Sequence, residues 1–266
     1  MDYILATLMG IAQGLTEFIP VSSTAHLRII PELFHKEDAG AAFTAVIQIG
    51  TLLSLLVYFR KDILTLTKGF FISLLKKDFK NPDFLISSYI IIGTIPIVIF
   101  GILLKRLIEH QFRSMTVIGA SLIIFAILLI ASEISGKKEK DINSLSVKDA
   151  VLIGLAQALA LIPGASRSGV TICMALFLGY KRESAARYSF LLSIPSVLGA
   201  GLFELKEVIK GGNNFDQISV IISTVASFIS GLIAIEFLLR FLVNHRVNIF
   251  AYYRIALGAI ILIFFT

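Results

Sequence analysis

Gly10-Ile11-Ala12-Gln13, running on to Pro20-Val21-Ser22-Ser23, returns later in the chain as Gly154-Leu155-Ala156-Gln157, running on to Pro163-Gly164-Ala165-Ser166. Each copy is an apolar helix interrupted by a proline beside clustered hydroxyls. Lipid does not tolerate unpaired backbone or side-chain polar groups, so such breaks belong where protein or a cavity surrounds them. The likeness extends further, because Ala41-Ala42 precedes Ala185-Ala186 by 144 residues, the spacing that separates Gly10 from Gly154. The chain reads as a duplication, with one repeat over about 1–133 and a second over about 147–266 of a single integral domain, 1–266.

The surrounding composition makes lipid the solvent. Of 266 residues, 56% are hydrophobic and 16% charged, well outside the range of a soluble domain of this length. Apolar stretches long enough to span the hydrocarbon core occur at 41–59, 84–104, 114–132, 185–203, 217–239 and 249–265. The segments near 3–30 and 150–178 are broken and too short on each side of the break to span, so they read as re-entrant hairpins. The expected fold is an all-α polytopic membrane protein, with six transmembrane helices plus two re-entrant helical hairpins. A hairpin returns to its own side and three crossings follow it, so the second unit lies upside down relative to the first. This is an inverted-topology repeat, with its site where the two breaks meet.

Basic residues set the expected orientation. With the N-terminus on side one, side two receives Arg60, Lys61, Lys68, Lys76, Lys77, Lys80, Lys137, Lys138, Lys140, Lys148, Lys181, Arg182, Arg187, Arg240 and Arg246. Side one receives only Arg28, Lys36, Lys105, Arg106, Arg113, Lys206 and Lys210. The positive-inside tendency makes side two cytoplasmic and puts both termini outside. The net charge of +6 is then a product of topology and of attraction to anionic lipid, and nucleic acid is not an expected partner. The stretch Lys61 to Asp83, with leucines and phenylalanines set among lysines, reads as an amphipathic helix lying on the inner leaflet. Asp2 stands where a secretory leader would be basic, so no cleavable leader is expected. The single cysteine, Cys173, admits no internal disulfide and reads as apolar packing.

In the first hairpin Gln13 and Glu17 share one helical face a turn apart. A carboxylate within the membrane needs a proton, an arginine or a metal ion. Ser22, Ser23 and Thr24 follow Pro20, more hydroxyls than helix capping requires. His26 lies three residues after Ser23, a spacing at which its imidazole accepts the Ser23 proton directly or through water. In the second hairpin Arg167 sits among Ser166, Ser168 and Thr171, with Gly164 and Gly169 leaving room for the backbone to approach a ligand. Arg167 needs an anion, which is either phosphate at the start of the returning helix or Glu17 of the first hairpin. Two helix starts, an arginine, a carboxylate and a Ser/His pair fit a polyanion with an apolar tail, a phosphorylated lipid.

These motifs resemble those of the undecaprenyl-diphosphate phosphatases, the bacitracin-resistance family. The acidic motif stands as Gln13-Gly14-Leu15-Thr16-Glu17-Phe18, leading into Pro20 to His26, and the arginine motif is complete from Pro163 to Thr171. Val46 to Gly50, Ser189 to Pro195 and Tyr253-Arg254 look like the family as well. The resemblance implies hydrolysis of the terminal phosphate of undecaprenyl diphosphate at the outer face of the cytoplasmic membrane, which returns the carrier lipid to cell-wall synthesis. It also implies a divalent cation, Mg2+ or Ca2+, with Glu17 and Gln13 as its ligands. Gln13 departs from the commoner glutamate and Ala25 from the commoner glycine.

The expected catalytic residues are Ser23, His26, Glu17 and Arg167. Either Ser23 is the nucleophile, with His26 the base and later the acid, or His26 activates water with no covalent intermediate, and Glu17 either holds the metal or orients His26. Gln13, Ser22, Thr24, Gly164, Ser166, Ser168 and Thr171 are expected to bind substrate. Expected partners are the polyprenyl diphosphate and membrane lipids, with a homodimer left open. A transporter or flippase of polyprenyl phosphate is the rival reading, since broken helices in inverted repeats are a transporter architecture. The acid-phosphatase-like lipid phosphatases fit poorly, because their preceding Lys-to-Arg-Pro motif is absent.

Overall fold

The computed structural model describes residues 2–38, 40–104, 114–211 and 216–266, without the side chains of 41–42 and 202–211. Of the basic residues counted above, Lys105, Arg106 and Arg113 lie outside the described residues, as do the side chains of Lys206 and Lys210 and of the repeat-marking Ala41 and Ala42. Eleven α-helices make up the described chain: α1 (Tyr3–Phe18), α2 (Ser23–Leu33), α3 (Gly40–Tyr58), α4 (Arg60–Lys76), α5 (Pro82–Leu103), α6 (Met115–Ser135), α7 (Val147–Ala158), α8 (Arg167–Phe177), α9 (Arg182–Gly211), α10 (Gln217–Asn244) and α11 (Asn248–Phe264). Each of the six apolar stretches is a single helix, namely α3, α5, α6, α9, α10 and α11.

Among the described residues, α5, α6 and α10 are each long and apolar enough to cross a membrane on their own. The protein is an all-α, multi-pass membrane protein. α4 turns away from α3 by 72°. It shows Leu64, Phe71, Ile72 and Leu75 on its surface and stacks Phe70 on Phe84 of α5, in keeping with an amphipathic helix at an interface.

The two broken segments are built alike. α1 stops at Phe18 and α2 starts at Ser23, while α7 stops at Ala158, passes through a single 3-10 turn (Leu159–Leu161) and α8 starts at Arg167. Ser22 and Ser166, 144 residues apart, are the N-caps, with φ of 76° and 69°. Serine rarely adopts a positive φ. Its appearance at both starts marks one tight entry used twice. Each cap hydroxyl accepts an amide three residues on, Ala25 N at 3.4 Å and Gly169 N at 3.2 Å.

Helix pairing repeats in the same way: α1 lies along α10 and α7 along α5, while α3 packs on α10 and α9 on α5. Small residues make these contacts close, as interfaces in lipid require when packing replaces the hydrophobic effect. A Cβ on Gly10 would fall 2.3 Å from Ser223 O, and one on Gly154 would fall 2.5 Å from Gly93 O.

Gly154→Ala therefore pushes α7 off the α5 backbone, where no side chain can yield. The variant is expected to lose about 1–3 kcal/mol, as overpacked cores do, read as a lower midpoint of thermal unfolding in detergent. Gly199→Ala, with nothing within 4 Å of its added methyl, is the control that leaves the midpoint unchanged or raises it.

Ion pairs tie the helices together away from the breaks. Arg182 of α9 grips Glu133 of α6 through Nε and Nη2, and Arg187 of α9 pairs with Asp62 of α4.

Candidate active site

Glu17 is the centre of the site. It lies at the C-terminal end of α1, 7% exposed, and its carboxylate is surrounded by donors from four segments. Oε2 accepts Gln13 Nε2 at 3.0 Å and Ser23 Oγ at 2.9 Å. Oε1 accepts Gln48 Nε2 at 3.0 Å and is ion-paired with Arg167 Nη2. A charge so deeply buried persists only when it is paired and hydrogen-bonded, and Glu17 is both. Arg167 is the first residue of α8, so this single pair joins the two breaks. Its other terminal nitrogen, Nη1, donates to Ser193 O at 3.3 Å and Ser196 Oγ at 3.4 Å on α9.

Gln13, Glu17, Ser23 and Arg167 thus come together as the sequence predicts, and Arg167 takes Glu17 as its anion. Gln48, quoted above only as part of a family-like stretch, joins them. Its position on α3 is a tertiary fact that no local pattern announces.

His26 takes other partners. Its Nδ1 donates to Ser22 O at 2.7 Å and its Nε2 accepts the Tyr253 hydroxyl at 2.7 Å, with the two rings stacked 5.7 Å apart. Both ring nitrogens are occupied, and Ser23 turns its proton to Glu17. The expected direct hydrogen bond between Ser23 and His26 is therefore absent. Helical spacing put the two on neighbouring positions, but rotamer choice followed the stronger acceptors, a carboxylate for Ser23 and a backbone carbonyl for His26.

The remaining expected binding residues divide by task. Ser22 and Ser166 spend their hydroxyls on capping, and Ser168 Oγ lies 3.2 Å from Ser166 Oγ at the α8 start. Thr24 is exposed. Thr171, 1% exposed, bonds Arg167 O at 2.8 Å and Ser189 Oγ at 2.6 Å, so it ties α8 to α9. Gly164 has φ of 91°, and an added Cβ would fall 2.6 Å from Ile118 O. That glycine serves the close approach of α6, not of a ligand.

Arg254 of α11, like Gln48, was quoted above only in a family-like stretch and given no role. It is fully buried and donates through Nη2 to Gly164 O at 3.0 Å and Ala165 O at 2.9 Å.

Among the described residues no three His, Cys, Asp or Glu side chains cluster to hold a metal ion. Gln13 Oε1, however, is a buried acceptor without a partner beside the Glu17 carboxylate. One carboxylate and one amide oxygen form the kind of hard, sparse donor set that holds Mg2+ when phosphate supplies further ligands.

With this geometry in view, the match to known proteins is decisive. The family model for bacitracin resistance protein BacA matches residues 6–260. The chain belongs to the BacA family. Among curated BacA relatives, the undecaprenyl-diphosphatase of a Nocardioides species is 49% identical, over 99% of this chain and 96% of its own length. That of Myxococcus xanthus is 47% identical, over 99% of this chain and 89% of its own, and that of Chlorobaculum tepidum 47%, over 97% and 95%. These BacA relatives align across both breaks and α11, so every residue of the Glu17 cluster falls within the shared length.

Proposed function

We propose that this protein hydrolyses undecaprenyl diphosphate to undecaprenyl phosphate and inorganic phosphate at the Glu17 cluster. The observation that carries the assignment of the site is the convergence of Glu17, Ser23 and Arg167 from two separate breaks onto one carboxylate. As a BacA-family hydrolase of the carrier lipid, it serves cell-wall synthesis and bacitracin resistance. The site is read as opening to the outer face of the cytoplasmic membrane, with both termini outside, on the charge asymmetry given above. A homodimer is compatible with this reading and not required by it, because the cluster is complete within one chain.

The chemistry follows from the exchange of one anion for another. In the substrate-free site Glu17 neutralises Arg167. An arriving diphosphate competes for the guanidinium, whose planar fork suits phosphate oxygens. As Arg167 turns to the distal phosphate, one Glu17 oxygen is released and the carboxylate draws the proton of Ser23, already 2.9 Å away. Ser23 Oγ then forms a bond to the distal phosphorus while the bridging P–O bond breaks, and undecaprenyl phosphate leaves. Water attacks the resulting phosphoserine and gives its proton to His26. The serine oxygen takes its proton back from Glu17, inorganic phosphate departs, and His26 gives up its proton to the departing phosphate or to water, which restores the site. Throughout, Arg167, the Ser168 hydroxyl and the start of α8 face the developing negative charge, a preorganised arrangement that supplies most of the rate in such sites.

A divalent cation is proposed to enter with the diphosphate, held by Glu17 and Gln13 Oε1. When bound it supplies charge neutralisation at the phosphate oxygens.

The rival reading as a lipid carrier makes an opposite prediction. Detergent-purified protein is expected to release one inorganic phosphate per prenyl diphosphate consumed, and right-side-out vesicles are expected to act on a short-chain diphosphate added outside. A carrier releases no phosphate in either case. Activity confined to inverted vesicles would overturn the sidedness alone.

A further inference from the structure

We infer that the adjacent residues Tyr253 and Arg254 of α11 are a paired positioning element that fixes the two breaks against each other, Tyr253 holding the His26 Nε2 lone pair and Arg254 setting the peptide planes that lead into α8. This rests on the reading of the Glu17 cluster as the active site.

Tyr253 and Arg254 project from one helix about 100° apart, and each reaches a different half of the chain. The Tyr253 hydroxyl meets His26 of the first break and the Arg254 guanidinium meets the carbonyls of Gly164 and Ala165 in the second.

The His26 contact determines a protonation pattern. Ser22 O can only accept, so Nδ1 carries the hydrogen and Nε2 holds a lone pair. The Tyr253 hydroxyl donates to that lone pair and holds the ring in plane, 4° from its own. The nitrogen that must take a proton from water is thereby kept neutral, aimed and occupied until substrate displaces the phenol.

The Arg254 contact is costly unless it has a use. The side chain is fully buried, and Nε and Nη1 have no hydrogen-bond partner. Burying a guanidinium with only two carbonyl acceptors is unfavourable when an apolar side chain of similar volume would pack there. The other half of the chain uses that apolar solution. Gly119 of α6 and Gly258 of α11 approach each other's carbonyls, a Cβ on each falling 3.2 and 2.8 Å from the other's oxygen. Four residues before each stand Met115 and Arg254 respectively, and Met115 is buried among Ala25, Ile118 and Ile261. The fold therefore accepts methionine in this register, and the arginine is an added feature of the second half.

What the arginine adds is orientation. A trans peptide directs its N–H opposite to its C=O, so pulling Ala165 O toward α11 turns the Ser166 N–H away from α11 at the start of α8. Gly169 leaves the space that the guanidinium fills, since a Cβ there would lie 2.7 Å from Arg254 Nη1.

Two measurements test this together. In protein labelled with 15N-histidine, His26, identified by the signal lost in His26→Gln, is expected to show a single Nδ1–H tautomer. Tyr253→Phe is expected to keep that tautomer, because Ser22 O still accepts from Nδ1, and to shift the His26 Nε2 resonance as a nitrogen that loses a donated hydrogen bond does, while the other histidine signals stay in place. Arg254→Ala is expected to lower kcat about 100-fold, the scale of an ångström-sized misplacement, with KM changed less than about 3-fold, a split that marks positioning rather than uniform binding. Arg254→Lys, which keeps donors within reach of both carbonyls, is expected to recover most of the lost kcat.

An unshifted His26 Nε2 resonance in Tyr253→Phe, or an Arg254→Ala enzyme with wild-type kcat, overturns the inference. If Arg254→Ala fails to fold, Arg254→Lys and the Nε2 measurement still decide it. Full activity in Ser23→Ala would instead overturn the site reading, and the Nε2 result would stand independently of it.

Discussion

Arg167→Ala is expected to lower the rate of phosphate release by about 10³- to 10⁵-fold, the range in which an arginine facing a transferring phosphoryl group contributes. The size follows from two functions held by one side chain. Without substrate, Arg167 balances Glu17, and with substrate it stabilises charge on the distal phosphate. Removing it leaves an unpaired carboxylate beside an incoming polyanion, so binding and chemistry both suffer.

The fold should survive. α8 is held to α9 by the Thr171–Ser189 hydrogen bond and at its start by Arg254, neither of which uses the Arg167 side chain. Arg167→Lys keeps the charge but loses the fork that reaches Glu17, Ser193 and Ser196 together, and an intermediate loss is expected. Steady-state kinetics on monodisperse protein check both variants. A kcat within ten-fold of wild type for Arg167→Ala would remove Arg167 from the phosphoryl-transfer step.

The sequence exposed the parts of this site that depend on local grammar. Proline beside hydroxyls in an apolar segment located both breaks, while the equivalence of Ser22 and Ser166 as caps shows only in their shared backbone geometry. The need of a buried arginine for an anion narrowed the partner of Arg167 to phosphate or Glu17, and the structure shows Glu17. Helical periodicity found Gln13 beside Glu17, because residues four apart meet whatever else the chain does.

The same periodicity misled at His26. Its partner Tyr253 is 227 residues away, and no spacing rule chooses between a nearby serine and a distant phenol. Gln48 and Arg254 were hidden for a related reason. A lone glutamine or arginine in an apolar stretch has no local signature of its target, and only helix packing brings α3 and α11 to the breaks. Gly164 and Thr171 show the converse. Their motif was legible, but whether glycine makes room for a ligand or for a helix is settled by what lies opposite, here Ile118.

Ser23→Ala is expected to reduce turnover by at least about 10⁴-fold, comparable to removing the nucleophile from other enzymes that form a covalent intermediate. The hydroxyl is half-buried and bonded to Glu17 Oε2, so its removal deletes both the attacking oxygen and one of the four donors on that carboxylate. Those two effects separate experimentally. The lost donor disturbs a network that still contains Gln13, Gln48 and Arg167, which predicts a modest change in KM, whereas the lost nucleophile acts on kcat alone.

Ser23→Cys sharpens the distinction. Its thiol can refill the space and donate weakly to Glu17 without matching the attack of an alkoxide on phosphorus. Rapid acid quench of wild-type protein with substrate labelled in the distal phosphate is expected to trap label on Ser23, found as phosphoserine in the peptide containing residues 23–26. If no label is trapped and Ser23→Ala keeps most of its turnover, water attacks the diphosphate directly. The proton then goes to His26, whose Nε2 lone pair is the accepting group the first break already presents. In that event Glu17 and Arg167 keep their places, because the exchange of carboxylate for phosphate at the guanidinium does not depend on which oxygen attacks.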